Sequence, residues 1–338
     1  MMSKTNVTLL FAHGGGFCKE TWNPIIRRLK ESYVLQNVST NFTTFDFPYH
    51  GDKHDSTVVL SFKVDLSNPI APRVWNESHD LVHWVAQAVQ EQVAKSKDQI
   101  RRDDPEGLIQ HKFIGIGHSM GSAGLWATEV AHPGTFDGLI LFEPVLTQKS
   151  PEISYMIDFF VGLTLQRENS WPSRAVAKDY FCNLKNFAKW DRETLAGYLQ
   201  GGFYDEEDGT VTLACHPHVE ASLYCQPPLW LKDHELQQPK CSITFHWGSR
   251  SKLWFRDRFQ ELERKLPLIY TVREPMKGNS HLLMLENPAL AAEKIAQDLE
   301  LLEPYRRFYS FLKGIPFFVI FVNCASSIMV LKCSDYFI

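Results

Sequence analysis

Ser119, inside Gly117-His118-Ser119-Met120-Gly121, is the residue best placed in this chain to act as a nucleophile. A G-x-S-x-G match occurs by chance in roughly one chain in ten of this length, so its flanks decide its meaning. Residues 113–116 (Phe-Ile-Gly-Ile) read as a strand, and Ser122-Ala123-Gly124-Leu125-Trp126-Ala127 as the opening of a helix. A strand, a sharp turn and a helix would expose the serine Oγ, with glycines where neighbouring backbone comes too close for side chains. The helix N-terminus then directs partial positive charge at a developing oxyanion. A serine needs a base, and on such a turn the chain order is serine, acid, histidine. Of 13 histidines, position selects His281, in Gly278-Asn279-Ser280-His281-Leu282 between a predicted last strand and the final helix. His118 flanks the serine but would point elsewhere, and His216 and His218 have no evident third ligand for a metal.

The acid is less plainly marked. The usual place follows the strand expected at 242–247, where the chain reads Gly248-Ser249-Arg250-Ser251-Lys252, without a carboxylate. Another strand end offers Glu143, after the apolar run 138–142. A charged glutamate closing a buried strand is costly unless paired, and orienting His281 would pair it. Asp257 is the alternative, and Glu143 is favoured. For the oxyanion, Phe11-Ala12-His13-Gly14-Gly15-Gly16-Phe17 follows the first expected strand. A backbone N–H there, from Gly15 or else Gly16 or Phe17, would join that of Met120. These glycines lack both the P-loop Lys-Ser/Thr and G-x-G-x-x-G spacing, so no nucleotide is expected, nor any metal or other cofactor.

To hold these residues together the chain must build a mostly parallel sheet flanked by helices, and it alternates accordingly. Strands are predicted at 7–12, 43–47, 112–117, 138–142, 242–247 and 269–273, and helices at 22–32, 77–96, 119–131, 253–265 and 288–302. Leu81, Val82, Val85, Val89 and Val93 recur at helical spacing. Polar residues 97–110 read as a surface insertion. Residues 148–240 break the strand rhythm and are rich in aromatics (Trp171, Tyr180, Phe181, Trp190, Tyr198), which predicts an inserted helical cap over the site. The core is then 1–147 with 241–302. Residues 303–338 form an apolar tail, whose run 315–331 is shorter than the roughly 20 residues a spanning helix needs. Membrane contact through that tail is a lesser expectation than packing on the body.

Composition is that of a globular protein, with 44% hydrophobic and 22% charged residues. A net charge of −4 with scattered Lys and Arg argues against nucleic-acid binding. Seven cysteines without paired spacing fit reduced thiols in an intracellular setting. The N-terminus has no signal-peptide pattern, so the sequons at Asn6, Asn37, Asn41 and Asn76 are expected to stay unmodified.

The elbow, His13-Gly14-Gly15-Gly16-Phe17, Phe45-Asp46-Phe47-Pro48-Tyr49-His50-Gly51-Asp52 and the 278–288 segment together resemble the α/β-hydrolase superfamily across residues 5–302. More narrowly, Phe142-Glu143-Pro144, Trp171-Pro172-Ser173-Arg174, Trp190-Asp191 and Asp208-Gly209-Thr210-Val211 resemble fungal peroxisomal-type hydrolases of host-selective toxin clusters such as AK-toxin biosynthesis. The resemblance implies an α/β-hydrolase fold and cleavage of an ester or thioester of a small hydrophobic fatty-acyl or polyketide-like substrate. It implies a peroxisomal setting, with the cytoplasm as alternative because the chain ends Tyr336-Phe337-Ile338 rather than in a Ser-Lys-Leu-like address. Two other classes compete: an epoxide hydrolase, disfavoured because its nucleophile is a carboxylate, and a non-catalytic binder, disfavoured by an intact serine and histidine.

Overall fold

The computed structural model describes residues 5–76, 81–145, 151–226 and 229–306. In chain order the first elements are β1 (Thr5–Ala12), α1 (Asn23–Lys30), β2 (Ser39–Phe45), β3 (Phe62–Asp65), β4 (Arg73–Asn76) and α2 (Leu81–Asp103). β5 (Gln110–His118), α3 (Met120–Ala131) and β6 (Gly138–Phe142) follow. Then come α4 (Pro151–Leu165), β7 (Ser170–Trp171), α5 (Arg174–Asn183), α6 (Arg192–Gly201), β8 (Phe203–Asp205), β9 (Val211–Leu213) and α7 (Pro217–Cys225). The chain closes through β10 (Ser242–His246), α8 (Arg256–Lys265), β11 (Tyr270–Val272), α9 (Leu283–Glu286) and α10 (Pro288–Leu299).

Six strands form one sheet in the order β11-β10-β6-β5-β1-β2, and every pairing is parallel. The α/β-hydrolase sheet expected from the sequence is therefore present, with helices on both faces. β1 shows why its run is apolar without interruption. Val7, Leu9 and Phe11 pack with Trp22, Ile25 and Leu29 of the α1 side and with Ala291, Ile295 and Leu299 of α10. Leu10 and Ala12 face the other way, toward Val85 and Val89 of α2, Leu125 and Trp126 of α3, and Phe259 of α8. A strand buried on both sides cannot alternate with polar residues. Each such side chain contributes about 1.5–3 kcal/mol of transfer free energy.

Several expectations need adjustment. β2 begins at Ser39 rather than residue 43 because it is the edge strand, half exposed, with the polar sequence Ser-Thr-Asn-Phe-Thr-Thr-Phe. The stretch 97–110 is no insertion at its start: α2 continues to Asp103 with mostly exposed polar residues. The antiparallel pair β3–β4 was not foreseen. Between β6 and β10 the chain is not purely helical, since β7, β9 and β8 form a small antiparallel sheet burying Trp171, Phe203, Val211 and Leu213. The packed body also runs beyond residue 302, where Tyr305 is buried and its hydroxyl lies 3.0 Å from Thr40 Oγ1. The expected apolar run 315–331 lies outside the described residues. Among the described residues no helix is long and apolar enough to cross a membrane.

Candidate active site

From β1 the chain moves to β2 on one side, while β5 pairs with the opposite edge of β1. The connections leaving β1 and β5 therefore diverge at the carboxyl end of the sheet and open a crevice there. The glycine loop 13–17 leaves β1 and Ser119 leaves β5, so two distant motifs meet across one strand spacing. Ser119 has φ 51 and ψ −116, a left-handed conformation that costs a non-glycine residue of order 1–3 kcal/mol. Its N–H donates to Phe142 O at 2.9 Å, and its carbonyl accepts from Ala123 N–H at 3.0 Å, opening α3. Gly121 meets a close backbone approach: a Cβ there would lie 2.3 Å from Ala12 O and 2.5 Å from His13 O.

The structure brings Ser119, His281 and Glu143 into one line. His281 Nδ1–H donates to Glu143 Oε2 at 2.7 Å, which leaves Nε2 with its lone pair 3.0 Å from Ser119 Oγ. Glu143 is 2% exposed, so its carboxylate depends on hydrogen bonds for compensation. It also accepts Gly248 N–H on Oε1 at 2.8 Å and Ser251 Oγ–H on Oε2 at 2.6 Å. The loop after β10, which carries no acid of its own, thus supplies the donors that hold the acid from β6. Gly248 permits this, because a Cβ there would stand 2.3 Å from Ser280 O in the histidine loop. Asp257 sits exposed in the first turn of α8, and no hydrogen bond joins it to His281.

For the oxyanion, Gly15 lies beside Met120, whose Sδ is 3.7 Å from the Cβ position of Gly15. Met120 begins α3, so its N–H has no intrahelical partner. Gly15 N–H finds no hydrogen-bond partner among the described residues. Gly16 N–H, expected as a possible oxyanion donor, is donated to His50 Nε2 at 3.0 Å. Phe17 N–H likewise closes a turn on Gly14 O at 3.3 Å.

Three supporting contacts escaped the sequence reading. His118 Nε2–H donates to His281 O at 2.9 Å, tying the residue before the serine to the histidine loop. Burial, and after it the charge of His281, pushes the His118 ring down to about 3, so it stays neutral. Glu286 takes Ser280 N–H at 2.8 Å and Ser280 Oγ–H at 2.7 Å, steadying the same loop from α9. The third is the Gly248–Ser251 support of Glu143, hinted at only by two serines in an acid-free loop. The cap aromatics chiefly make core: Trp171, Phe181, Trp190, Tyr198 and Phe203 are all buried in one cluster. Phe17 meets that cluster at Trp190, 5.5 Å between ring centroids, and stacks toward His118 at 6.1 Å.

Comparison with known proteins agrees with this architecture. The model of the Alpha/beta hydrolase family matches residues 9–294. The abhydrolase domain-containing protein AKT2 of Alternaria alternata is 25% identical over 226 residues, 57% of this chain and 84% of that protein. A type I acyl-CoA thioesterase, mpaH', of Penicillium brevicompactum is 35% identical over 67 residues, 19% of this chain and 16% of that protein. Among solved structures, the peroxisomal alpha-beta-hydrolase Lpx1 of Saccharomyces cerevisiae superposes with a TM-score of 0.65 at 20% identity, covering 93% of this chain and 80% of that one. The chain belongs to the alpha/beta hydrolase family, and it is a hydrolase.

Proposed function

We propose that this alpha/beta hydrolase is a serine esterase or thioesterase acting on a hydrophobic acyl chain through a covalent acyl-enzyme, in fungal secondary metabolism. One observation carries the reading: the continuous hydrogen-bonded line from Ser119 Oγ through His281 to Glu143. His281 Nε2 takes the Ser119 proton as Oγ attacks the acyl carbon, and Glu143 stabilises the imidazolium that results. Gly15 and Met120 N–H groups receive the negative charge on the former carbonyl oxygen. The tetrahedral intermediate collapses as the imidazolium protonates the leaving alkoxide or thiolate. Water, deprotonated by His281, then attacks the acyl-Ser119 ester and releases the carboxylic acid with Ser119 restored.

Met120 and Leu223, which border the Gly15 position beside the serine, favour an acyl chain over a charged substrate there. Thioesters enter the proposal through the fungal acyl-CoA thioesterase, and secondary metabolism through the toxin-cluster resemblance of the sequence. The test is a fluorophosphonate probe with p-nitrophenyl esters and acyl-CoAs of increasing chain length. The reading requires labelling at Ser119 and turnover that rises with chain length up to a limit. Absence of labelling, with no turnover of either series, overturns it.

A further inference from the structure

Gly14, Gly15 and Gly16 could place their peptide groups in many ways, since glycine has little steric preference. A donor that wanders cannot stabilise an oxyanion well, because the benefit comes from its being fixed beforehand. The structure contains what fixes it. Phe17 N–H on Gly14 O closes a four-residue turn, and Gly16, its third residue, has φ +75. Positive φ at that position marks a type II turn, which differs from type I by rotation of its central peptide. Here the central peptide ends in Gly16 N–H, and that N–H is donated to His50 Nε2 at 3.0 Å.

His50 is held in place to accept this donor. It is fully buried. Its Nδ1 lies 2.9 Å from Pro48 O, a pure acceptor, so Nδ1 carries the proton and Nε2 is left bare to receive Gly16 N–H. Tyr49, the residue before it, adopts φ 60 in the turn that points the imidazole at the loop. The contact is answered from the other side. His13 donates Nδ1–H to Gly14 O at 2.8 Å and accepts Phe47 N–H on Nε2 at 3.2 Å. Two neutral imidazoles, 5.4 Å apart, thus stitch the loop after β1 to the loop after β2 in both directions. The Glu220 carboxylate of α7 packs against the same turn, 2.5 Å from where a Cβ on Gly16 would stand.

We propose that His50 is a positioning residue for oxyanion stabilisation: by accepting Gly16 N–H it fixes the turn that presents Gly15 N–H beside Met120 N–H. This rests on the serine-hydrolase reading above. His50 touches no reacting atom; its effect passes through the backbone of Gly15 and Gly16.

The test compares His50→Leu, which removes the acceptor, with His50→Gln, whose amide oxygen reaches about as far as Nε2. Turnover of p-nitrophenyl butyrate is expressed per site titrated to completion with fluorophosphonate, so unfolded molecules do not count. His50→Leu should lower kcat on the order of 10- to 10²-fold, somewhat less than outright loss of an oxyanion donor. KM should stay within about twofold, and an alkylboronic acid, which mimics the tetrahedral intermediate, should weaken in step with kcat. His50→Gln should recover most of both. Wild-type kcat per site and boronic acid affinity in His50→Leu would overturn the inference alone. If His50→Leu does not fold, His50→Asn takes its place: its amide is too short to reach Gly16 N–H, so equal kcat in the Asn and Gln variants would overturn it. A wild-type protein that neither turns over the ester nor takes the probe would overturn the hydrolase reading and this inference together.

Discussion

At the scale of single residues, side chains from the ends of β5 and β6 and from the loop after β11 converge on one line. Ser119→Ala should lower turnover on the order of 10⁴-fold or more while leaving substrate binding largely intact, and adding His281→Ala should cost little further, because such residues act as a unit. The measurement is kcat of both variants against a shared ester; substantial activity in either would displace the proposed nucleophile. Glu143 permits a sharper contrast. Glu143→Gln keeps the size but removes the negative charge beside His281 Nδ1–H, and its amide can present a donor to that nitrogen. A loss of at least roughly 10²-fold in kcat is expected, given that the comparable lesion in serine proteases costs about 10⁴-fold. Asp257→Asn, on an exposed turn of α8, should change kcat by less than about twofold.

At the scale of elements, the site depends on loops that approach one another more closely than side chains permit. Gly121 and Gly248 are two such points of contact. Gly248→Ala would drive a methyl group into Ser280 O and Asn279 O, 2.3 and 2.5 Å from the Cβ position. The β10 loop must then retreat, taking with it the Gly248 N–H and Ser251 hydroxyl that hold Glu143. Activity should fall at least about tenfold, with a loss of stability on the order of 1–3 kcal/mol from overpacking. Thermal melts and kcat of the same preparation separate the two effects. Ser251→Ala tests the support without the clash: it removes one donor from a buried carboxylate, for an expected cost of about 1–3 kcal/mol.

At the scale of the whole molecule, His13, His50 and His118 are three fully buried rings in neutral form between the loops of the site. Burial, and next the neighbouring His50, pushes His13 down to about 4; burial lowers His50; His118 lies at about 3. In the unfolded chain each would titrate near 6.5. Between 6.5 and the folded values the unfolded state binds protons that the folded state refuses. Their stabilisation is therefore complete above pH 6.5 and declines as pH falls, by about 1.4 kcal/mol per pH unit each for His13 and His118, with His50 acting in the same direction. Melting temperature should drop by roughly 5–10 °C from pH 7.5 to pH 5, and His118→Phe should flatten that slope. A melting temperature unchanged over this range would contradict the neutral, buried state of the three rings.

The sequence alone determined what is local or strictly periodic. Continuous apolar runs specify doubly buried strands wherever they occur, so β1, β5, β6 and β10 were legible along with the elbow at Ser119, whose glycines and flanking pattern lie within residues 113–127. His281 followed from chain order. What tertiary structure decided is which distant groups share a hydrogen bond. Glu143 and Asp257 were both carboxylates following sheet strands, and only the parallel register of β6 beside β10, pairing Phe142 with His246, carries Glu143 to the loop at 248–251. Gly15 and Gly16 are equivalent as letters; His50, 34 residues from Gly16, separates them by claiming one N–H. The β3–β4 pair and β7–β9 were missed because strands of two to four residues contain too few positions to display a period, and contacts with the rest of the molecule decide their conformation.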